Sequence, residues 1–204
     1  MLTVYQLKPR FQGMLRPLVG RLAGAGVTAN QVTIAAALGS VAIGGLVAWL
    51  AAWRPLFILI GLWLLARMAL NAVDGMLARE FGQKSDLGAY LNELGDVVSD
   101  AALYAPFALV APFGPGWVGI VVVLAIASEF AGALGPMIGV ARQYQGPMGK
   151  SDRAVVFGLL GLVVAVTARL PDFVFWLMPV VAALLAWTIA NRIRAGLAEA
   201  ARAR

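Results

Sequence analysis

The sequence predicts an all-α, polytopic membrane protein with six transmembrane helices and an N-terminal amphipathic interfacial helix. Three observations predict it. The chain has 204 residues and a hydrophobic share of 61%, well above that of an ordinary globular domain. The apolar residues gather in runs of roughly 20, enough at ~1.5 Å rise per residue to cross a hydrocarbon core of ~30 Å. The basic residues fall between those runs with a strong bias to one side.

The first segment, 1–30, reads as a cytoplasmic amphipathic piece. Phe11, Met14, Leu15, Leu18, Val19 and Leu22 recur at helical spacing, with Arg10, Arg16 and Arg21 around the other side. That pattern fits a helix lying on a membrane surface, although Gly13, Pro17 and Gly20 weaken the helix. It does not resemble a cleaved signal peptide, which needs a compact apolar region and a small-residue cleavage site.

The six spans are expected near 31–52, 55–79, 86–112, 116–141, 153–170 and 172–192, forming one transmembrane domain over 31–192. Pro55, Pro112, Pro115 and Pro171 mark the tight connections. A basic tail follows at 193–204. Lys8, Arg10, Arg16, Arg21, Arg79, Lys84, Arg142, Lys150, Arg153, Arg192, Arg194, Arg202 and Arg204 fall on one side, against Arg54 and Arg169 on the other. The positive-inside rule then puts both termini in the cytoplasm of a multi-pass cell-membrane protein. Trp49, Trp53, Trp117 and Trp176 fit an aromatic belt on the opposite side.

With no Cys and no His, the chain has no thiolate nucleophile, no histidine base and no Cys/His zinc site. Chemistry must come from carboxylates, amides, hydroxyls, Lys or Arg. The net charge of +6 reads as loop bias and attraction to anionic lipid, not as nucleic-acid binding.

The acids are not evenly spread. Asp74, Glu80, Asp86, Glu93, Asp96 and Asp100 lie within thirty residues of a chain that holds ten acids in all. In the second span Arg67, Asn71, Asp74, Gly75 and Ala78 share a helix face, and in the third Asn92, Asp96 and Asp100 do. The two polar faces come to similar depth just inside the cytoplasmic boundary. Carboxylates at that depth are costly unless paired or bound to a cation. Three readings stand: an ion-pair cluster around Arg67 and Arg79, a proton or cation path, or a hard-metal site of carboxylate and amide oxygens suited to Mg²⁺ or Mn²⁺.

The spacing of this stretch resembles the signature of the CDP-alcohol phosphatidyltransferase family, D-x2-D-G-x2-A-R-x8-G-x3-D-x3-D. Asp74, Gly75, Ala78, Arg79, Gly88 and Asp96 match with every interval kept. The first and third signature aspartates are Asn71 and Asn92 here. The "VTANQVT" run, with Thr28, Asn30 and Thr33, is similar to the family's T-P-N-x-x-T element, with Ala29 in place of Pro.

The resemblance implies a phosphatidyltransferase that displaces CMP from a CDP-linked lipid with an alcohol, as a homodimer. It implies Mg²⁺ or Mn²⁺ at Asn71, Asp74, Asn92 and Asp96, with Asp96 as the catalytic base. It implies a nucleotide site at Thr28, Asn30, Asp74, Gly75, Ala78, Arg79 and Gly88. Arg142, Lys150 and Arg153, at the start of the fifth span, are the candidates for an acceptor or headgroup phosphate; an ordinary positive-inside loop is the alternative.

The two asparagines remove two negative charges from the matching set, which weakens attraction for a divalent ion. An inactive relative, a site with fewer metals, or compensation by Asp100 or Glu93 would each account for them. Glu129, deep in the fourth span, is placed either to pair with Arg67 or to line the cavity. Asp152 or Ser151 is expected to cap the fifth span. A non-catalytic nucleotide- or lipid-binding relative, or a cation conductor, is the second class of function. Conduction requires polar residues through the full membrane depth, whereas here they concentrate at one end.

Overall fold

Seven α-helices and short 3-10 turns make up the computed structural model, which describes residues 4–203, with no strand among them. The helices are α1 (Val4–Gly24), α2 (Ala29–Trp49), α3 (Ile58–Glu80), α4 (Asp86–Tyr104), α5 (Gly114–Ala133), α6 (Lys150–Val166) and α7 (Leu177–Arg202). The side chains of Lys8 and Arg10, and Arg204 at the other end, lie outside the described residues.

Helix α1 runs unbroken through Gly13, Pro17 and Gly20. Tertiary packing overrides the weak local propensity. Val19 is fully buried in a small cluster with Val73, Met76 and Leu77 of α3, and Arg16 pairs with Glu80 at 3.1 Å. Met14 and Leu18 remain exposed on another face.

Thr28 starts α2 with a reciprocal capping box: its hydroxyl accepts from the Gln31 N–H at 3.2 Å, and the Gln31 amide oxygen accepts from the Thr28 N–H at 2.9 Å. Helix α2 packs on α3 and α4, α3 on α6, and α5 on α4 and α7. Small residues permit the closest crossings. A Cβ on Gly44 would stand 2.1 Å from the Ala102 carbonyl oxygen, and one on Gly161 would stand 2.8 Å from that of Phe57. Backbone approach of this kind is how helices pack tightly where apolar burial drives association weakly.

The bundle divides along its axis. At one end lies an apolar core in which Phe57, Tyr104, Phe107 and Phe157 interlock, with Tyr104 and Phe157 stacked at 3.9 Å. At the other end sit the buried charges Arg67, Asp74, Asp100, Glu129, Arg153 and Arg192. Trp49, Trp53 and Trp176 are exposed near helix ends at the apolar end.

Four helical stretches are long and apolar enough to cross a membrane: Ala29–Trp49, Arg54–Glu80, Gly114–Ile138 and Asp172–Arg202. The other two expected spans are present as helices but differ in kind. Helix α4 carries Asp86, Glu93, Asp96 and Asp100, and α6 has 17 residues. Helix α7 continues past residue 193 as far as Arg202.

Candidate active site

The turn between α3 and α4 closes with Gly82 at φ +68°, a left-handed conformation that glycine adopts without a Cβ penalty. Ser85 then caps α4, its hydroxyl accepting from the Gly88 N–H at 3.0 Å. This turn is also tied to the start of α2. The Gln83 amide oxygen accepts from the Ala29 N–H at 2.7 Å, and Asn30 donates to the Ser85 hydroxyl at 3.4 Å. Gly88 lets the two ends approach, since a Cβ there would stand 2.8 Å from the Asn30 side-chain oxygen.

Three helix ends therefore surround one cavity of about 380 Å³, within the range of small-ligand sites. Asn30, Asp74, Gly75, Ala78, Arg79, Gly88, Asn92 and Glu93 line it. Thr28 does not; its hydroxyl is used as the α2 cap. Asp74 is 5% exposed. The Thr33 hydroxyl donates to one of its oxygens at 2.8 Å, and among the described residues it makes no ion pair.

The other acids nearby, Asp100 and Glu129 buried and Glu93 and Asp96 half-buried, are the opposite case, because a continuous chain of ion pairs holds them. Lys150 and Arg67 take the two oxygens of Asp96, the Arg67 contact at 2.9 Å. Arg67 also reaches Asp100 at 2.8 Å. Arg153 joins Asp100 to Glu129 at 2.9 Å each. Glu129 receives Arg142 at 2.8 Å and Arg192 at 3.4 Å, and Arg142 meets Glu93. Arg67, Arg142, Lys150, Arg153 and Arg192 thus face Glu93, Asp96, Asp100 and Glu129. Their mutual arrangement supplies the partners that buried charges need.

A second cavity of about 210 Å³ lies beside this chain, lined by Arg67, Asn71, Asp100, Lys150 and Ser151 among others. Asp96 is in the lining of neither cavity but is linked to both. It bonds Arg67 and Lys150 of the second, and both it and Lys150 lie within electrostatic reach of Asp74 in the first.

The expected residues therefore separate. Asp74, Asn92 and the nucleotide candidates Asn30, Gly75, Ala78, Arg79 and Gly88 share the first cavity, while Asn71 opens on the second. Arg153 has no donor left for an acceptor. It is fully buried, and its five N–H groups meet Asp100 twice, Glu129, the Ser128 hydroxyl and the Met148 carbonyl. Asp100 is likewise committed, to Arg67 and Arg153, and Glu93 to Arg142. Arg79 is not part of the ion-pair chain; its guanidinium lies over Gly75. Glu129 pairs with Arg142, Arg153 and Arg192 instead of Arg67. Helix α6 starts one residue before the expected cap, and Asp152 accepts from the Gly149 N–H at 2.9 Å from within the first turn.

Sequence reasoning missed Arg192 and Ser128. Arg192 was counted as a charge flanking the last span, yet it is 2% exposed and donates to the Ser128 carbonyl. No local pattern distinguishes it from Arg194. Thr33 was legible as part of the α2 start, but not as the partner of Asp74.

Among the described residues no three acidic side chains form a metal-binding cluster. The oxygen donors that α3 and α4 contribute are mixed: the carboxylates Asp74 and Asp96 and the amides Asn71 and Asn92, with Asp74 and Asn92 on the first cavity and Asn71 on the second. Oxygen-only donors fit a hard divalent ion, and a buried carboxylate with no ion pair among the described residues, as Asp74 is, calls for a positive charge.

Comparison with known proteins supplies an independent line. A protein-family model described as CDP-alcohol phosphatidyltransferase matches residues 26–189. The chain is 47% identical over 199 residues to inner membrane protein YnbA of Escherichia coli (strain K12), covering 96% of this chain and 97% of that protein. It is 34% identical over 107 residues to archaetidylinositol phosphate synthase of Pyrococcus horikoshii, covering 51% of this chain and 53% of that one. The fold is similar to crystal structures of Mycobacterium tuberculosis phosphatidylinositol phosphate synthase. The one with CDP-DAG bound gives a TM-score of 0.72 at 21% identity, covering 88% of this chain and 92% of that one. The one in complex with manganese and citrate gives 0.71 at 21% identity, covering 89% and 88%.

Proposed function

The chain belongs to the CDP-alcohol phosphatidyltransferase family, and from that membership we propose that it transfers a phosphatidyl group from CDP-diacylglycerol to an alcohol with release of CMP. The observation that carries the reading is Asp74: a buried carboxylate that makes no ion pair among the described residues, on the wall of a cavity of about 380 Å³. Asn71 and Asn92 occupy the first and third signature aspartate positions in this reading.

The nucleotide diphosphate enters the first cavity. Gly75 and Ala78 leave the α3 backbone accessible there, and Arg79 supplies a cation beside the phosphates. Asp74, Asn92, Asn71 and Asp96 would hold Mg²⁺ or Mn²⁺. When bound, the ion neutralises the diphosphate and stabilises the departing CMP. Thr33 fixes the Asp74 carboxylate, and Arg67 fixes Asp96. Asp96 accepts the proton of the attacking hydroxyl. Asp100, with Arg153 behind it, keeps Arg67 in place for that role.

The acceptor occupies the second cavity, where Lys150 and Arg67 suit a phosphorylated alcohol. Arg142 and Arg153 act through the ion-pair chain and not by contact with the acceptor. All six helices α2–α7 cross the membrane, with α4 and α6 shielded by their neighbours, both termini in the cytoplasm and α1 on the inner leaflet. The segments 1–30, 31–192 and 193–204 are its cytoplasmic amphipathic segment, its catalytic transmembrane domain and its basic cytoplasmic tail, the last helical as far as Arg202. The protein works as a homodimer. The two asparagines favour, as a second reading, a relative that binds the CDP-lipid without turning it over.

Gly75→Leu tests the donor site. The new side chain meets first the mobile tip of Arg79, so the fold should survive while the cavity fills. Loss of CDP-diacylglycerol binding at an unchanged melting temperature is the expected result; unchanged binding contradicts the assignment.

A further inference from the structure

Lys150 is the first residue of α6, after a loop containing Gly146 and Gly149. Its side chain is 31% exposed, in contrast to the 4% of Arg67. The two cations on Asp96 therefore differ. Arg67 is clamped by Asp100 as well as Asp96 and lies inside the bundle. Lys150 bonds one Asp96 oxygen through a flexible four-carbon stem at the edge of the second cavity. With Arg67 and Lys150 both in place, neither Asp96 oxygen is free of a cation.

That arrangement conflicts with a divalent ion on Asp96 unless one cation leaves, and Lys150 is the one able to do so. We infer that Lys150 is a resident counter-ion that competes with the divalent ion for Asp96, so that ion binding requires the lysine to swing aside into the second cavity. The inference rests on the reading of Asp96 as an ion-binding residue. It has a physical basis in the two asparagines: the site has fewer carboxylates to hold an ion against a competitor. It also gives Lys150 a destination, since the second cavity is where an anionic acceptor would receive it. Lys150 is then a positioning residue that neutralises the second Asp96 oxygen whenever the ion is absent, while Arg67 holds the first.

The experiment measures Mn²⁺ binding to the detergent-purified full chain by electron paramagnetic resonance of the free ion, with and without CDP-diacylglycerol. The proteins are wild type, Lys150→Met, Lys150→Gln and the double variant Lys150→Met/Asp96→Asn. Methionine keeps the stem and removes the charge. Competition predicts Mn²⁺ affinity at least ~5-fold tighter in Lys150→Met and Lys150→Gln, a size matching the lower end of ordinary coupling between ligand sites, and no such gain in the double variant. If wild type binds Mn²⁺ with the nucleotide and the single variants bind it no more tightly, the competition is refuted while the ion site stands. A gain that persists in the double variant also refutes it, because Asp96 is then not the contested group. If no protein binds Mn²⁺ under either condition, the ion-site reading fails and this inference fails with it.

Discussion

Arg153 of α6 bridges Asp100 of α4 and Glu129 of α5 at 2.9 Å to each carboxylate, fully buried. This side chain ties three helices together behind the site, and every one of its N–H groups is used. Removing one partner from a buried ion pair leaves the others uncompensated and costs ~3–5 kcal/mol. Arg153→Met should therefore lower the melting temperature markedly in detergent. Arg79→Ala, on the cavity wall and outside the ion-pair chain, should leave melting nearly unchanged and weaken CDP-diacylglycerol binding. The reverse pattern would mean that the binding and supporting roles are exchanged.

Asp96 and Asp100 are one helical turn apart but differently committed. Asp96 touches the partly exposed Lys150, whereas among the described residues Asp100 accepts from Arg67 and Arg153. Asp96→Asn should cut turnover by ~10²–10⁴ with the fold retained. Asp100→Asn should act chiefly on stability, and turnover per folded molecule should fall less. Turnover measured alongside melting separates the two, and collapse of turnover in Asp100→Asn alone would put the base one turn deeper.

Asn92 lines the same cavity as Asp74. Asn92→Asp adds a negative charge there, so Mn²⁺ affinity without nucleotide should rise. In wild type, where the diphosphate supplies the missing charge, Mn²⁺ and CDP-diacylglycerol should strengthen each other's binding by the same factor. Calorimetric titration in both orders measures this. Tight ion binding in wild type, indifferent to nucleotide, would contradict it.

Much of this site is legible in the sequence. The i, i+3, i+4 rule put Asp74, Gly75 and Ala78 on one face and Asn92 and Asp96 on another, and the two faces do meet across α3 and α4. One helix also arose within each expected apolar run, although several ends shifted. What could not be read was long-range pairing. Whether Glu129 would meet Arg67 or Arg153 depends on how α5 rotates against α4, α6 and α7, and nothing local to "IASEFAGALG" encodes that. Arg153 and Arg192 looked like loop charges because burial of an arginine is decided by acids on other helices. The apolar count failed at α4 for the converse reason. Its acids lower its hydropathy, although those on its inward face are compensated from α3 and α6.

Orientation is open to a direct check. The basic residues on one side predict both ends of the chain in the cytoplasm. Reporter fusions at residue 1 and residue 204 should both read cytoplasmic. An external C-terminus would remove one crossing and separate Arg192 from Glu129.

The central claim is catalysis on a CDP-linked lipid by a site with two asparagines in its signature. It is tested most directly by incubating purified protein with CDP-diacylglycerol, Mg²⁺ or Mn²⁺ and a panel of free and phosphorylated alcohols, with CMP and new lipid followed by mass spectrometry. The account predicts equal amounts of CMP and one new phosphatidyl lipid, requiring the divalent ion and lost in Asp96→Asn. Binding of CDP-diacylglycerol with no CMP under any acceptor or ion, from protein shown to be folded, would contradict it.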